Sequence, residues 1–406
     1  MRKVINKYLQ LEEHVLLMIK AEFFIQLVGA AFFLILNIFL SKQGFSDPEI
    51  ANFISHRFLA VMLLAFPLGF YIKGKPLKPF FLIGGIGVPV VAIALVLAVQ
   101  YKLHDYLNML FIFWGIVFTL FQVSSLPYIM RNTLVNNQSH AISLNYATHS
   151  FGTIFAGLLI FGAGQFMLEI NEGKILLWLS VFSFLGVYYL LKMEVDNHTS
   201  IKEEFKWKMY DWILIIKAIV PTLIIAIGAG LTIPFINLFF FHNFEIDSSG
   251  FAAIGGIASF LVAFLALFVP DIKNMLGFKK GIMYTQIIAI IALIALATTE
   301  FFNHYWWALP LAIICYWVRT PLMNMAAPMT SELMMNYVGV RNQEMLSAII
   351  AAIWSGSWFF SSQIFRFLKE GGLPYAHIFY ITAVLYAFGV IMYYFLIQDY
   401  ERRKSI

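Results

Sequence analysis

The sequence predicts an all-α integral membrane protein with twelve transmembrane helices in two pseudo-symmetric groups of six. Three observations predict it. First, 61% of the 406 residues are apolar and only 12% are charged, against roughly half and a quarter in soluble domains. A soluble fold of this length cannot cover so much apolar surface with polar groups. Second, the apolar residues fall into twelve runs long enough to cross a bilayer core, which takes about 20 residues. Third, the two halves of the chain echo each other at an offset of about 200 residues, the mark of a repeat-built protein.

In order, the runs are 16–40, 51–72, 80–101, 107–130, 141–164, 175–192, 213–241, 250–269, 281–299, 306–330, 344–367 and 376–397. The first fifteen residues are too polar for a signal-peptide core. No small-residue cleavage site follows the first run, so that run is expected to remain as a helix. The fifth run opens in polar Asn136-Asn137-Gln138-Ser139-His140 and carries His149. Runs of this length exclude a closed barrel, whose strands alternate over roughly 10 residues. Placing the N-terminus in the cytoplasm puts eighteen Lys and Arg on the inner side. Six lie on the outer side, among them Lys42, Arg57 and Lys369, and the other three, Lys20, Lys217 and Arg319, lie within runs. This bias predicts that both termini are cytoplasmic. The net charge of +5 follows from the same loops and calls for no nucleic-acid partner. The single cysteine, Cys315, excludes a disulfide framework.

The longest polar stretch, Lys192 to Lys208, follows the sixth run. It divides the chain into an N-terminal bundle (1–192), a cytoplasmic linker (193–210) and a C-terminal bundle (211–406). Asn37-Ile38-Phe39 in the first run answers Asn237-Leu238-Phe239 in the seventh, and Asp47 answers Asp247. Pro67 and Pro270 close the second and eighth runs. Pro127 and Pro328 lie near the inner ends of the fourth and tenth. Residues 143–152 align without gaps against 347–356.

With these features the chain resembles the major facilitator superfamily over essentially its whole length. The resemblance rests on the six-plus-six runs, the central inner loop and the basic loops after runs two and eight. GAGLTIPFINLFF (228–240) is similar to many seventh-span sequences of that superfamily, and RTPLMNMAAP (319–328) to tenth-span sequences. After run eight, NMLGFKK keeps Gly277, Lys279 and Lys280 of the family's loop motif, with Asn274 where the family often has Asp. The resemblance implies a cytoplasmic gate at these four residues. It also implies that spans one, four, seven and ten line a central cavity. That nominates Gln26, Asn37, Gln122, Asn237, Thr320 and Asn324 as solute-facing polar groups. The proline of the family's antiporter motif is missing from 151–164.

Within the runs, Arg319 stands out. It lies midway along the tenth run, where a charge costs several kcal/mol unless it has a partner or a task. Of the 22 acidic residues, only Glu22 lies clearly inside a run, at another depth. Arg319 then either grips an anionic group with its guanidinium fork or braces neighbouring helices. The lack of a carboxylate at its depth favours the first reading. Helical spacing puts Asn145, His149, Gly152 and Thr153 on one small and polar face of the fifth run. His149 is a proton carrier near neutral pH or a neutral interhelical partner. Glu22 has the same two readings, coupling or structure. Trp354 and Trp358, one turn apart, form an aromatic wall or a packing stripe.

No hydrolase, zinc-peptidase or phosphate-loop motif is present, and the nine His show no metal-ligand spacing. No soluble segment is long enough for a nucleotide-binding domain. The sequence therefore points to a secondary transporter, active or facilitative, of a small organic and anionic solute. It is expected to work by alternating access in a bacterial inner membrane, as a monomer without cofactor, metal or nucleic acid. An exporter of amphipathic compounds is the alternative within transport. A polytopic lipid enzyme centred on Asn145 and His149, and a channel, are the alternatives outside it.

Overall fold

A computed structural model describes residues 11–72, 75–166, 171–194, 210–266, 268–339 and 342–404. Of the expected linker 193–210, only 193, 194 and 210 lie within them. Among the described residues there is no strand. Twelve helices follow in order: α1 (Glu13–Lys42), α2 (Asp47–Tyr71), α3 (Lys78–Gln100), α4 (Leu107–Asn132), α5 (Val135–Phe166), α6 (Glu172–Lys192), α7 (Trp212–Phe244), α8 (Ser248–Ala266), α9 (Val269–Thr298), α10 (Ala308–Val338), α11 (Gln343–Glu370) and α12 (Tyr375–Lys404). Eleven are long and apolar enough to cross a bilayer. The twelfth is α10, 31 residues long, whose apolar content is diluted by Arg319, Thr320, Pro321 and Asn324. The protein is a multi-pass integral membrane protein.

Two helices change winding partway. In α1, Phe32–Leu36 form a π-helical turn. In α7, Ile233–Phe235 form a 3₁₀ turn that contains Pro234, which has no N–H to give to the preceding turn. The expected loop 274–280 is also helical. It forms the first part of α9, which is interrupted at Gly277 (φ 68°, ψ 178°). A positive φ there suits a residue without a Cβ.

The described residues form two compact units. The first takes 11–46, 56–194 and 247–256; the second takes 47–55, 210–246 and 257–404. In the first, α1 packs on α5 and α6, and α3 packs on α4 and α6. In the second, α7 packs on α11 and α12, and α9 packs on α10 and α12. The pairing scheme is the same, shifted by six helices, as the duplicated sequence requires. Glycines set the close approaches. A Cβ on Gly84 would meet the Val117 carbonyl of α4 at 2.9 Å, and one on Gly389 would meet Ile225 of α7 at 2.5 Å.

Candidate functional site

In the second unit, Arg319 is 3% exposed. It lies eleven residues into α10, about 17 Å along a helix rising 1.5 Å per residue. Its Nη2 donates to the Tyr386 hydroxyl of α12 at 2.9 Å. Its Nε is buried without a hydrogen-bond partner, and no ion pair to Arg319 occurs among the described residues. The packing behind it explains the placement. Gly228 of α7 lies against the Tyr386 ring, where a Cβ would come within 3.0 Å. Thr382, one turn earlier on α12, donates to the Gly228 carbonyl at 3.2 Å. Small residues of α7 thus let α12 approach and hold the phenol that steadies the guanidinium.

The other residues nominated in this unit surround Arg319 unevenly. Thr320 is half-buried, and Asn324 is exposed and donates to the Thr320 carbonyl at 2.9 Å. Asn237 is buried, and its Oδ1 accepts from the Leu238 N–H at 2.9 Å. Trp358 is half-buried, with its Cα 3.2 Å from where a Cβ on Gly230 would sit, and Trp354 is exposed. Asn274, Gly277, Lys279 and Lys280 are all exposed. Lys279 Nζ lies 4.8 Å from the Tyr394 ring centroid. The ion pair at this end of α9 is made by Lys273, which donates to both oxygens of Glu332 at 2.8 and 2.9 Å.

In the first unit, Glu22 is 1% exposed and neighbours Gln26, Ser125 and Asn145. Its Oε1 lies 3.7 Å from His149 Nε2. Gln26 Nε2 lies 3.3 Å from the same imidazole nitrogen. Gly152 of α5 admits this arrangement, because a Cβ there would stand 3.3 Å from Gln26 Cβ. The polar face of α5 expected from its spacing therefore meets the polar positions of α1. Lys20 points elsewhere, with Nζ 5.9 Å from the Tyr189 ring centroid. Gln122 is exposed and takes no part in this group.

Sequence reasoning placed Arg57 on the outer side. The structure starts α2 at Asp47, which sets Arg57 ten residues inside the helix. Its guanidinium carbon lies 4.0 Å from the Trp114 ring centroid and 5.4 Å from that of Phe118. Sequence reasoning also missed two side-chain clusters at helix ends. In the second unit, Asp47 meets His242 Nε2 at 3.0 Å and Lys369 Nζ at 3.4 Å, and accepts from the Tyr375 hydroxyl. In the first unit, Glu172 accepts from Lys42 and, at 3.1 Å, from Ser248. One signal was available: Lys42 and His242 stand at the same offset as Asn37 and Asn237.

No family model matches the sequence, and no curated protein sequence matches it. Solved structures do. The nucleoside transporter NupG aligns over 94% of this chain and 99% of its own, with 14% identity and a TM-score of 0.74. A bacterial homologue of the iron transporter ferroportin, in an inward-facing state, aligns over 94% and 98%, with 12% identity and a TM-score of 0.73. A D-xylose–proton symporter aligns over 93% and 96%, with 12% identity and a TM-score of 0.70. The described residues thus share the helical fold of these solved transporters.

Proposed function

We propose that this protein is a secondary transporter that moves a small organic anion across the membrane by alternating access. One observation carries the reading: Arg319 is buried eleven residues into α10, held by a phenol, with no carboxylate paired to it among the described residues. Burying a guanidinium without an acid is a poor way to build a membrane helix. A phenol orients the fork without neutralising it, so its charge is available to a carboxylate or phosphate. The solved proteins of this fold include transporters of nucleosides, xylose and peptides, all organic solutes. In this reading residues 1–192 and 211–406 are the two halves and 193–210 the linker between them. The chain is a monomer of a bacterial inner membrane with both termini in the cytoplasm, and it is not an enzyme.

Glu22 and His149 are the coupling pair in this reading. A buried carboxylate beside an exposed imidazole supplies two adjoining proton-accepting groups, one of them open to the outside of the fold. Transport is then driven by the proton gradient.

Proteoliposome uptake tests both parts. Arg319→Ala is expected to abolish uptake of the anionic solute found by screening, with Arg319→Lys retaining part of it. Indifference of anion uptake to Arg319→Ala would defeat the anion reading. Glu22→Gln is expected to remove accumulation driven by an imposed pH gradient while sparing solute exchange across the membrane. Accumulation that persists in Glu22→Gln, and again in His149→Asn, would remove coupling at this pair.

A further inference from the structure

We infer that Arg57 is a second anion-recognition residue, which takes the carboxylate of an aromatic organic acid on a shelf formed by Trp114 and Phe118. The inference rests on the transporter reading but not on the assignment of Arg319. Arg57 lies ten residues from the start of α2 and six beyond Ala51, where the apolar run opens, so about 9 Å along the apolar part of the helix and inside a hydrocarbon core about 30 Å thick. A cation at that depth marks a functional position by default.

The local geometry gives the position its chemistry. The guanidinium lies over the Trp114 ring at 4.0 Å, with Phe118 at 5.4 Å and Phe58 at 5.3 Å. Gly115 makes this stack possible. A Cβ at Gly115 would come within 2.4 Å of the Arg57 carbonyl and 2.8 Å of Ala60 Cβ, so only a bare backbone lets α2 and α4 approach here. Stacking occupies the flat face of the guanidinium and leaves its in-plane N–H groups to bond along the edge. Arg57 Nε is buried with no hydrogen-bond partner, and so is the indole Nε1 of Trp114. Two buried donors thus stand side by side without an acceptor among the described residues. Such donors are costly to bury unmatched.

A carboxylate suits this pair best. It accepts two parallel bonds from a guanidinium edge, and an attached aromatic ring would extend the stack already present. The shelf also adjoins the buried cluster of the first unit. Gly29 of α1 lies against Phe118, where a Cβ would sit 3.3 Å from the ring, and Phe32 of α1 packs edge-on to Trp114 at 4.8 Å. Gln26, the partner of His149, is one turn from Gly29. An anion held at Arg57 would therefore bear on the helix that carries Glu22.

Binding of benzoate and phenylacetate to the purified full-length protein tests the inference by calorimetry, with thermal melting as the folding control. The wild type is expected to bind at least one of the two, and Arg57→Gln to weaken that affinity ten-fold or more. Trp114→Phe keeps the stack and removes the N–H, and is expected to weaken it about three-fold. Failure of the wild type to bind either acid, or an affinity in Arg57→Gln within two-fold of wild type, overturns the inference. If Arg57→Gln does not fold, Arg57→Lys and Trp114→Phe decide, and unchanged affinity in either overturns it. Arg319→Gln, measured in parallel, keeps the two assignments separate: unchanged affinity there with loss at Arg57→Gln supports Arg57 alone.

Discussion

Two clusters at helix ends, one in each unit, are wired alike and built differently. In each, the last turn of a first-type helix (α1 or α7) meets the start of a sixth-type helix (α6 or α12). Each also receives the start of the helix that begins there (α8 or α2). In the first unit the acid is resident: Glu172 on α6 takes Lys42 and Ser248. In the second the acid arrives with the incoming helix, and Asp47 is gripped by His242, Tyr375 and Lys369. Asp247, the sequence counterpart of Asp47, uses its carboxylate on its own helix and accepts from the Gly250 N–H at 2.7 Å. The incoming α8 therefore offers only a hydroxyl, whereas α2 offers a charge. Further along α2, Asn52 accepts from Arg366 at 3.1 Å and Ser55 from Gln363. The duplication preserved where contacts form and left their strength free to diverge.

That asymmetry sets an order of effects. Asp47→Ala is expected to cost the most, about 2–4 kcal/mol, because it strips a mostly buried carboxylate from three partners at once. Thermal unfolding in detergent checks it, and a loss no larger than that of Glu172→Ala would abolish the asymmetry. Glu172→Gln comes next, at about 1–2 kcal/mol, since it keeps the shape but weakens the bond from Lys42. A double-mutant cycle with Lys42→Met should show coupling between the two, and purely additive losses would contradict it. Ser248→Ala is expected to cost least, at about 1 kcal/mol or below for one neutral donor. A larger loss would mean that α8 is anchored as firmly as α2.

The membrane architecture was readable because a bilayer imposes it: a run of about 20 apolar residues has few other uses. The repeat was readable for the same reason, through Asn37 and Asn237, Asp47 and Asp247. The missing acid partner of Arg319 was also legible, because a carboxylate at its depth would itself have interrupted an apolar run. Helical spacing gave the shared face of Asn145 and His149. Spacing does not say which helix that face meets, so the approach of Glu22 and Gln26 needed the fold.

Arg57 was misplaced for a local reason. Apolar content put the start of the second run at Ala51, yet Asp47-Pro48-Glu49 carries the acids and the early proline of a helix start. Reading those three residues as the first turn would have moved Arg57 to mid-helix. The end clusters were hidden for another reason. Their members sit at polar boundaries, where a charge needs no explanation, and contact between Asp47 and Lys369 leaves no trace in spacing along the chain.

The altered windings of α1 and α7 carry a consequence for how these helices tolerate length changes. Phe32–Leu36 is wound looser than an ordinary helix and Ile233–Phe235 tighter, each just ahead of its buried asparagine. Each residue of a regular helix advances the azimuth by about 100°. Removing one residue from the loose turn of α1, or adding one to the tight turn of α7, would swing Asn37 or Asn237 to a new compass bearing with every side chain beyond it. The turn works as a rotary setting, and a shift of one residue is enough to aim the far end of either helix at the wrong neighbour.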